Sequence, residues 1–294
     1  MVYLYNNQGV AGPTPFRRTC GPSDEKGTIP MKRSAFTLVE LLVVIAIIAL
    51  LMAILMPALN MAKDQGRRVH CISNVRSLTL AWLLYKDDND SKLVNGHVPG
   101  GAFAKGTYWV EPPQTTAGAY AGRPATREEE IRGIQRGLLF QYAKTIDLYR
   151  CPSDSRKSNP TQDAWRSFSV AGGANGEVWS ALGYTTAITY LDIRNPATKY
   201  VFVEETDGRG WNIGSWVMNV SAPTWVDPLS IWHSKSRSTL GWADGRAEMH
   251  TWVDASTKEM SQLAIEGSDR AFNYPIPAGQ YKDVTFMKEG FPRK

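Results

Sequence analysis

The apolar positions of the chain form two different patterns. Near the amino end, Phe36 to Met56 is apolar except for Thr37 and Glu40. At a rise of about 1.5 Å per residue, a helix of this length spans about 30 Å, the thickness of the hydrocarbon core of a bilayer. The first pattern therefore predicts a transmembrane helix.

The second pattern begins after Pro57, where apolar residues recur at spacings of four and three, on one face of a helix. Pro57 predicts a helix kink, because proline lacks a backbone donor and crowds the preceding turn. We expect the helix to continue over residues 58–86 and to pack on a globular head. The predicted packing stripe consists of Cys71, Val75, Leu78, Trp82 and Tyr85.

Residues 87–294 are predicted to form one β-rich head domain, since their length is sufficient for a single core. Residues 127–145 have helical spacing and form the main exception. Asp244-Gly245 predicts a two-residue hairpin turn, because both residue types tolerate positive φ. The predicted strands lie within Thr107–Val110, Thr185–Leu191, Lys199–Glu204, Gly214–Val220 and Thr239–Trp252.

A specific resemblance lies at the start of the apolar run. Lys32-Arg33-Ser34-Ala35 followed by Phe36-Thr37-Leu38-Val39-Glu40 resembles the signal of type IV prepilins and of type II secretion pseudopilins. The resemblance implies cleavage between Ala35 and Phe36 by prepilin peptidase, and methylation of the new Phe36 amine. It also implies an α+β, pilin-like fold, in which a long N-terminal α-helix packs on an antiparallel β-sheet head.

Glu40 is the acidic residue of the apolar run, and an ionisable group in a membrane helix usually requires a partner. It lies four residues after Phe36, near the positive end of the helix dipole. The resemblance implies that Glu40 pairs with the amine of a neighbouring subunit during fibre assembly. The implied partners are prepilin peptidase/methyltransferase, sibling pseudopilins, the inner-membrane assembly platform and membrane lipid.

The resemblance also implies a single-pass inner-membrane protein with a cytoplasmic N-terminus and a periplasmic head. Three other interpretations of the apolar run fit its residues less well. A secretory signal requires a small-x-small cleavage site, and Met56 to Asn60 is a poor one. A plain anchor would not require Phe36 or Glu40, and a core helix of a soluble protein is rarely apolar on every side.

Residues 1–35 are predicted to be a leader that prepilin peptidase removes. Residues 1–30 have no apolar period, and either Met31 is the true start, with 1–30 untranslated, or the leader is long. The leader has five basic and two acidic residues, which leaves 28 bases and 26 acids beyond it. No nucleic-acid partner is predicted, because phosphate binding requires a concentrated basic face.

Loss of the leader removes Cys20 and leaves Cys71 and Cys151, an even pair in an oxidising compartment. They are a candidate disulfide, and two separate small apolar side chains are the alternative. His233 ahead of Asp244-Gly245 resembles a segment of large-headed pseudopilin-like proteins. We interpret these three residues as structural, with His233 buried or bonded in a turn, because a lone His with a lone Asp makes neither a triad nor a metal set.

We predict no enzyme activity and no cofactor. The sequence lacks the motifs of nucleophilic, phosphoryl and zinc chemistry. Glu204 and Glu205 are the best remaining catalytic pair, but adjacent strand residues face opposite sides, and we expect a solvated strand end there. Calcium at residues 87–90 is the alternative to having no metal, although the glycine and terminal Glu of an EF-hand are missing.

Ten tryptophans are present, eight of them between Trp165 and Trp252. Large rings fill β cores, and exposed rings bind sugars by stacking. The predicted function is a pseudopilin-like structural subunit of a type II secretion or type IV pilus-like fibre. The alternative is a membrane-anchored carbohydrate-binding protein that uses the Trp-rich head. A secretion pseudopilus, a surface pilus and a solitary anchor remain open.

Overall fold

The computed structural model of the chain describes residues 36–156, 165–177, 179–208 and 210–294. The predicted leader, including Ala35, lies outside these residues. The α-helices are α1 (Leu38–Asp88), α2 (Arg127–Arg136), α3 (Ala255–Ile265) and α4 (Lys282–Gly290). The strands are β1 (Phe168–Val170), β2 (Tyr200–Glu204), β3 (Thr224–Trp225), β4 (Arg237–Trp242), β5 (Ala247–Thr251) and β6 (Tyr274–Pro275). Short 3-10 helices occupy Leu138–Gln141, Ile146–Tyr149, Ser180–Leu182, Tyr190–Asp192, Pro196–Thr198 and Asp269–Ala271.

By their contacts, the described residues form two units, one up to Ala53 and one from Ile54 to Lys294. The helix α1 is long and apolar enough to cross a membrane, and its apolar side chains within the first unit are exposed. The helix continues through Pro57 without a break in its assignment. The predicted kink at Pro57 stays a prediction.

Within the second unit, one face of α1 is buried. Cys71, Val75, Leu78 and Trp82 are fully buried, and Tyr85 is partly buried. The predicted stripe is therefore confirmed, because these residues share one face of the helix. The helix ends at Asp88, two residues beyond the predicted end.

The head contains a four-stranded antiparallel sheet with the strand order β1-β2-β4-β5, and a two-stranded sheet formed by β3 and β6. Both faces of the two central strands, β2 and β4, are covered, whereas the edge strand β5 is half-buried or exposed. One core cluster contains the α1 stripe and Phe202, and the other contains Val203, Leu240 and residues of α3 and α4. The combination of helices and an antiparallel sheet confirms the α+β prediction.

Three predicted strands are wrong. Residues 107–110, 185–191 and 214–220 make isolated bridges rather than ladders. Gly214 has φ +76°, outside the extended region of the backbone, which interrupts the third run. The helices α3 and α4 are not predicted from the sequence, and they pack against one face of the sheet.

Helix α2 follows a capping box between Thr126 and Glu129, and Gly137 is the cap after its last residue, Arg136. A Cβ atom at Gly137 would lie 2.4 Å from the Trp109 carbonyl oxygen, so this close approach requires glycine. The predicted helix over 127–145 is therefore divided into α2 and a 3-10 turn.

The β4–β5 hairpin is confirmed, but its turn is one residue longer than predicted. Gly241 pairs with Ala247, and the Trp242 amide donates to the Arg246 carbonyl, which leaves three residues in the loop. Gly245 has φ +95°, whereas Asp244 does not adopt positive φ. A three-residue loop needs only one left-handed residue, and here the glycine supplies it.

Candidate functional sites

The first candidate site lies at the amino end of α1. The Thr37 amide and hydroxyl both donate to Glu40 Oε2, at 2.9 and 2.8 Å. The Glu40 amide donates back to Thr37 Oγ1 at 3.2 Å. This reciprocal arrangement is a capping box, which satisfies amide groups that the first helical turn leaves without partners.

The Glu40 side chain is exposed, and its partners in the capping box are neutral groups. These hydrogen bonds orient the carboxylate toward the start of the helix without neutralising its charge. The Glu40 carboxylate is therefore still able to pair with a cation from outside the chain. Pairing of Glu40 with a neighbouring amine remains a prediction.

The second candidate site is a buried cluster of Cys71, Cys151, Glu204 and His233, whose metal-capable atoms all lie within 4.8 Å of one another. Each residue comes from a different part of the fold. Cys71 lies on α1, Cys151 follows a 3-10 helix, Glu204 ends β2, and His233 precedes β4. All four side chains are at most 2% exposed. We call this group the Cys-Glu-His cluster.

Short contacts link the members of the cluster. The Cys71 thiol donates to Glu204 Oε1 at 2.9 Å, and Cys151 Sγ lies 3.2 Å from His233 Nε2. The same imidazole nitrogen lies 3.3 Å from Glu204 Oε1. Glu204 Oε2 is buried and has no hydrogen-bond partner among the described residues.

Groups around the cluster donate hydrogen bonds to its sulfur atoms. Thr239 Oγ1 donates to Cys71 Sγ at 3.2 Å, and the Ser153 amide donates to Cys151 Sγ at 3.4 Å. His233 is held by two backbone hydrogen bonds with Arg237, at 3.1 and 2.9 Å. The cluster is therefore fixed by the backbone as well as by its own contacts.

Burial and mutual contact shift the protonation of this cluster. Burial, followed by the neighbouring Cys151 and Glu204, raises the pKa of the Cys71 thiol well above its usual value. Burial alone would lower the pKa of His233, but its contacts with Cys151 and Glu204 raise it to about 10. Without a bound cation, the cluster therefore favours a neutral thiol at Cys71 and a protonated imidazole.

Cys151 and His233 do not form the arrangement of a cysteine-protease site. A catalytic base needs its two ring nitrogens for different partners, one for the nucleophile and one for the orienting carboxylate. Here Cys151 and Glu204 both contact Nε2. Their burial also removes them from any substrate in solution.

The outcomes for the predicted cysteine and histidine sites are mixed. The structure has Cys71 and Cys151 as free thiols rather than a disulfide, although it brings them close together. His233 is buried and turn-bonded, as predicted, but its imidazole is not alone. Asp244 does not contact it and instead pairs with Arg246 at 3.1 Å, beyond the other end of β4.

The prediction of a solvated strand end at Glu204 and Glu205 is wrong, because both residues are at most 1% exposed. Glu204 joins the Cys-Glu-His cluster. The backbone carbonyl of Glu205 accepts a hydrogen bond from Arg156. Burial lowers the pKa of Arg166 to about 10, and the negative charge of Glu205 opposes this shift. Glu204 is therefore a member of the cluster, whereas the charge of Glu205 acts on Arg166.

The residues considered for calcium make separate contacts. Asp87 pairs with Lys86, and Asp88 accepts a hydrogen bond from the Tyr142 hydroxyl at 2.8 Å. Among the described residues, the metal-capable side chains that converge are those of the Cys-Glu-His cluster. The geometry of residues 87–90 therefore does not support a calcium site there.

Most of the tryptophans fill the core. Eight of the ten are buried, Trp232 is partly buried, and Trp179 is 51% exposed. The core-filling interpretation is thus confirmed for eight rings. The sequence indicated that the rings were numerous, but burial could be assigned only from the fold.

Comparison with family models places a known motif over the first site. Residues 30–56 match the prokaryotic N-terminal methylation motif, which is the type IV prepilin and pseudopilin signal. The match includes the predicted cleavage position and Glu40. Comparison with curated proteins and with solved structures found no match.

The motif defines the class of signal that the chain carries. It supports a type IV pilin-like or pseudopilin subunit, and it implies processing by prepilin peptidase and assembly with other pilin-like subunits. Together with the apolar part of α1, it indicates membrane anchoring.

Proposed function

We propose that the chain is a structural subunit of a type II secretion pseudopilus or a type IV pilus-like fibre. The observation that carries the proposal is the methylation motif over residues 30–56, which overlaps an exposed apolar helix of membrane-spanning length. Prepilin peptidase would cut between Ala35 and Phe36 and methylate the Phe36 amine. The head would then lie in the periplasm, with the new amino end at the cytoplasmic side.

Glu40 has a physical role in this proposal. Cleavage creates a cationic amine at Phe36, and the capping box holds the Glu40 carboxylate at the same end of the helix. In a low-dielectric environment, an unpaired carboxylate is costly, and an ion pair with the amine of an adjacent subunit reduces this cost. Glu40 would thereby favour one register between neighbouring helices.

The exposed apolar surface of α1 supports the same assembly. Before assembly, lipid would cover the side chains between Phe36 and Met56, and sibling helices of the fibre would replace that lipid afterwards. Helix association in membranes depends on packing and on polar contacts between helices, rather than on removal from water. A polar pair at Glu40 is therefore expected to contribute strongly to assembly.

The experiment separates the charge of Glu40 from its capping function. The full chain is expressed with its sibling subunits and prepilin peptidase, and assembly is measured by cross-linking in membranes. We expect Glu40→Gln to reach the membrane, because glutamine still accepts the Thr37 hydrogen bonds, but to reduce cross-linked assembly at least tenfold.

Thr37→Val is the matched control, because it removes the hydroxyl of the capping box and keeps the carboxylate. We expect it to assemble within about twofold of the unaltered chain, since an exposed cap contributes only about 1 kcal/mol. Normal assembly of Glu40→Gln would contradict the proposed ion pair. Loss of assembly in Thr37→Val as well would show that the Thr37 hydroxyl is itself required, and would contradict the assignment of the effect to the charge of Glu40 alone.

The carbohydrate-binding alternative has less support from the structure. Sugar stacking requires exposed aromatic faces, and among the ten tryptophans only Trp179 is exposed and only Trp232 is half-buried. The fibre subunit is therefore the function that we retain.

A further inference from the structure

We propose that Cys71, Cys151, Glu204 and His233 form a closed, structural zinc site in the head. The four residues converge from distant positions in the sequence. This inference is independent of the membrane signal and of fibre assembly.

The donor set is the first argument. Structural zinc sites use four ligands drawn from Cys, His and, less often, Asp or Glu. Soft thiolates with an imidazole favour zinc over magnesium or calcium, which prefer oxygen ligands. Two sulfurs, one nitrogen and one carboxylate oxygen therefore match zinc better than they match magnesium or calcium.

The geometry is the second argument. Bond lengths of about 2.0–2.3 Å in a tetrahedral site place neighbouring ligand atoms about 3.3–3.8 Å apart. The three contacts across the cluster measure 2.9, 3.2 and 3.3 Å, and every pair of ligand atoms lies within 4.8 Å. Small side-chain adjustments are enough to reach zinc-binding distances.

The buried carboxylate of Glu204 also favours a bound cation. Glu204 is fully buried, and its Oε2 has no hydrogen-bond partner among the described residues. A buried carboxylate with an unsatisfied oxygen is costly unless a cation compensates it. A divalent ion bound by both thiolates, the carboxylate and the neutral imidazole would leave a net charge of only −1.

The surroundings of the sulfurs support the same assignment. Thr239 and the Ser153 amide donate hydrogen bonds to Cys71 and Cys151 respectively. Such donors stabilise thiolates and orient metal ligands. A disulfide between the two cysteines would instead place no divalent cation beside the buried Glu204 carboxylate.

Burial on all sides makes the site structural, because a catalytic zinc needs a position open to substrate. The ion would connect α1 to β2, to the Cys151 segment and to the residue before β4. Such a link closes long loops of the chain and would join the packing part of α1 to the sheet.

The first test measures the metal in the full chain, purified in detergent from zinc-containing medium. We expect about one zinc per chain by elemental analysis. X-ray absorption should show two sulfur and two nitrogen or oxygen neighbours. Cys151→Ser and His233→Gln should each retain at least tenfold less zinc.

His97→Gln is the matched control, since His97 lies 3.5 Å from Glu177 and outside the cluster. We expect this variant to keep its zinc. Equal zinc in the His97 and His233 variants would overturn the assignment, as would a purified chain that contains less than about 0.1 zinc.

The second test does not depend on the folding of any variant. A zinc chelator should lower the melting temperature of the unaltered chain by an amount on the order of 10 °C. Added Zn²⁺ should restore it, and Ca²⁺ or Mg²⁺ should not. No shift with chelator, or restoration by Ca²⁺ alone, would contradict a zinc site.

A third measurement addresses the disulfide. In a Cys20→Ser background, denaturant and chelator without reductant should expose two thiols that alkylate completely. Blocked thiols would identify a Cys71–Cys151 disulfide and overturn the zinc site. Fibre assembly can fail or succeed in its own assay without changing any of these outcomes.

Discussion

Glu130 on α2 is a buried carboxyl group whose protonation depends on folding. It is 5% exposed, and it accepts a hydrogen bond from the Trp165 amide at 2.8 Å. Burial raises its pKa from 4.5 to about 7, although the charges of Arg156 and Arg166 oppose that shift. The folded state therefore holds this proton more tightly than the unfolded state does.

The raised pKa predicts a specific pH dependence of stability. The contribution of Glu130 is present below the unfolded pKa of 4.5 and is lost as the pH rises through about 7. Glu130→Gln stays neutral, so its free energy of unfolding should rise relative to the unaltered chain between pH 5 and pH 8, by about 2–3 kcal/mol. Denaturant unfolding at several pH values measures this difference.

Glu128→Gln is the control for that measurement, because Glu128 lies on the same helical turn and is exposed. Its effect should stay within about 0.5 kcal/mol and should not vary over this pH range. If the free energies of unfolding of Glu130→Gln and of the unaltered chain changed in parallel with pH, burial would not raise the pKa of Glu130.

The residue scale also shows why the Cys-Glu-His cluster was missed. The sequence predicts a pairing of Cys71 with Cys151 and a structural role for His233 with Asp244, and neither prediction includes Glu204. The contacts of His233 depend on the tertiary placement of α1 and β2, and no local spacing encodes them. The prediction that Glu204 lies at a solvated strand end is wrong because a sequence does not show which strand ends are covered by other elements of the fold.

At the scale of elements, the packing of α1 on the sheet depends on a glycine. A Cβ atom at Gly241 of β4 would lie 2.6 Å from Thr79 Oγ1 and 2.7 Å from Val75 Cγ1, both on α1. It would also lie 3.2 Å from Cβ of Phe202, its register partner on β2. The absence of a side chain at Gly241 lets the helix approach the strand closely.

Gly241→Ala is therefore expected to lower the free energy of unfolding by about 1–3 kcal/mol, through overpacking. Gly66→Ala on α1 is the control, since nothing lies within 4 Å of its added Cβ. It should raise stability by about 0.5–1 kcal/mol, because alanine favours a helix. Denaturant unfolding of the detergent-solubilised chain measures both, and equal stabilities would contradict the close packing.

Elements with strong local signals could be predicted from the sequence. The spacing of Cys71, Val75, Leu78 and Trp82 identified the buried face of α1, and the Asp-Gly pair identified the β4–β5 hairpin. Short apolar runs led to wrong strand predictions. Such runs also occur in irregular segments that form only an isolated β-bridge. The helices α3 and α4 have no comparably strong apolar periodicity in the sequence.

At the scale of the whole molecule, the chain combines a membrane signal with a head that has its own core. The signal could be recognised from the residues between Lys32 and Glu40, and the match over residues 30–56 agrees with it. The function of the head could not be predicted in the same way, because its tryptophans are mostly buried and its possible metal ligands meet only after folding.

The most direct test of the proposed function is the mass and sequence of the amino end of the protein extracted from membranes that contain prepilin peptidase. The account predicts a chain that begins at Phe36 with one added methyl group, and an uncut chain in cells that lack the peptidase. A chain that stays uncut with the peptidase present, or one cut after the apolar run beyond Met56, would contradict it.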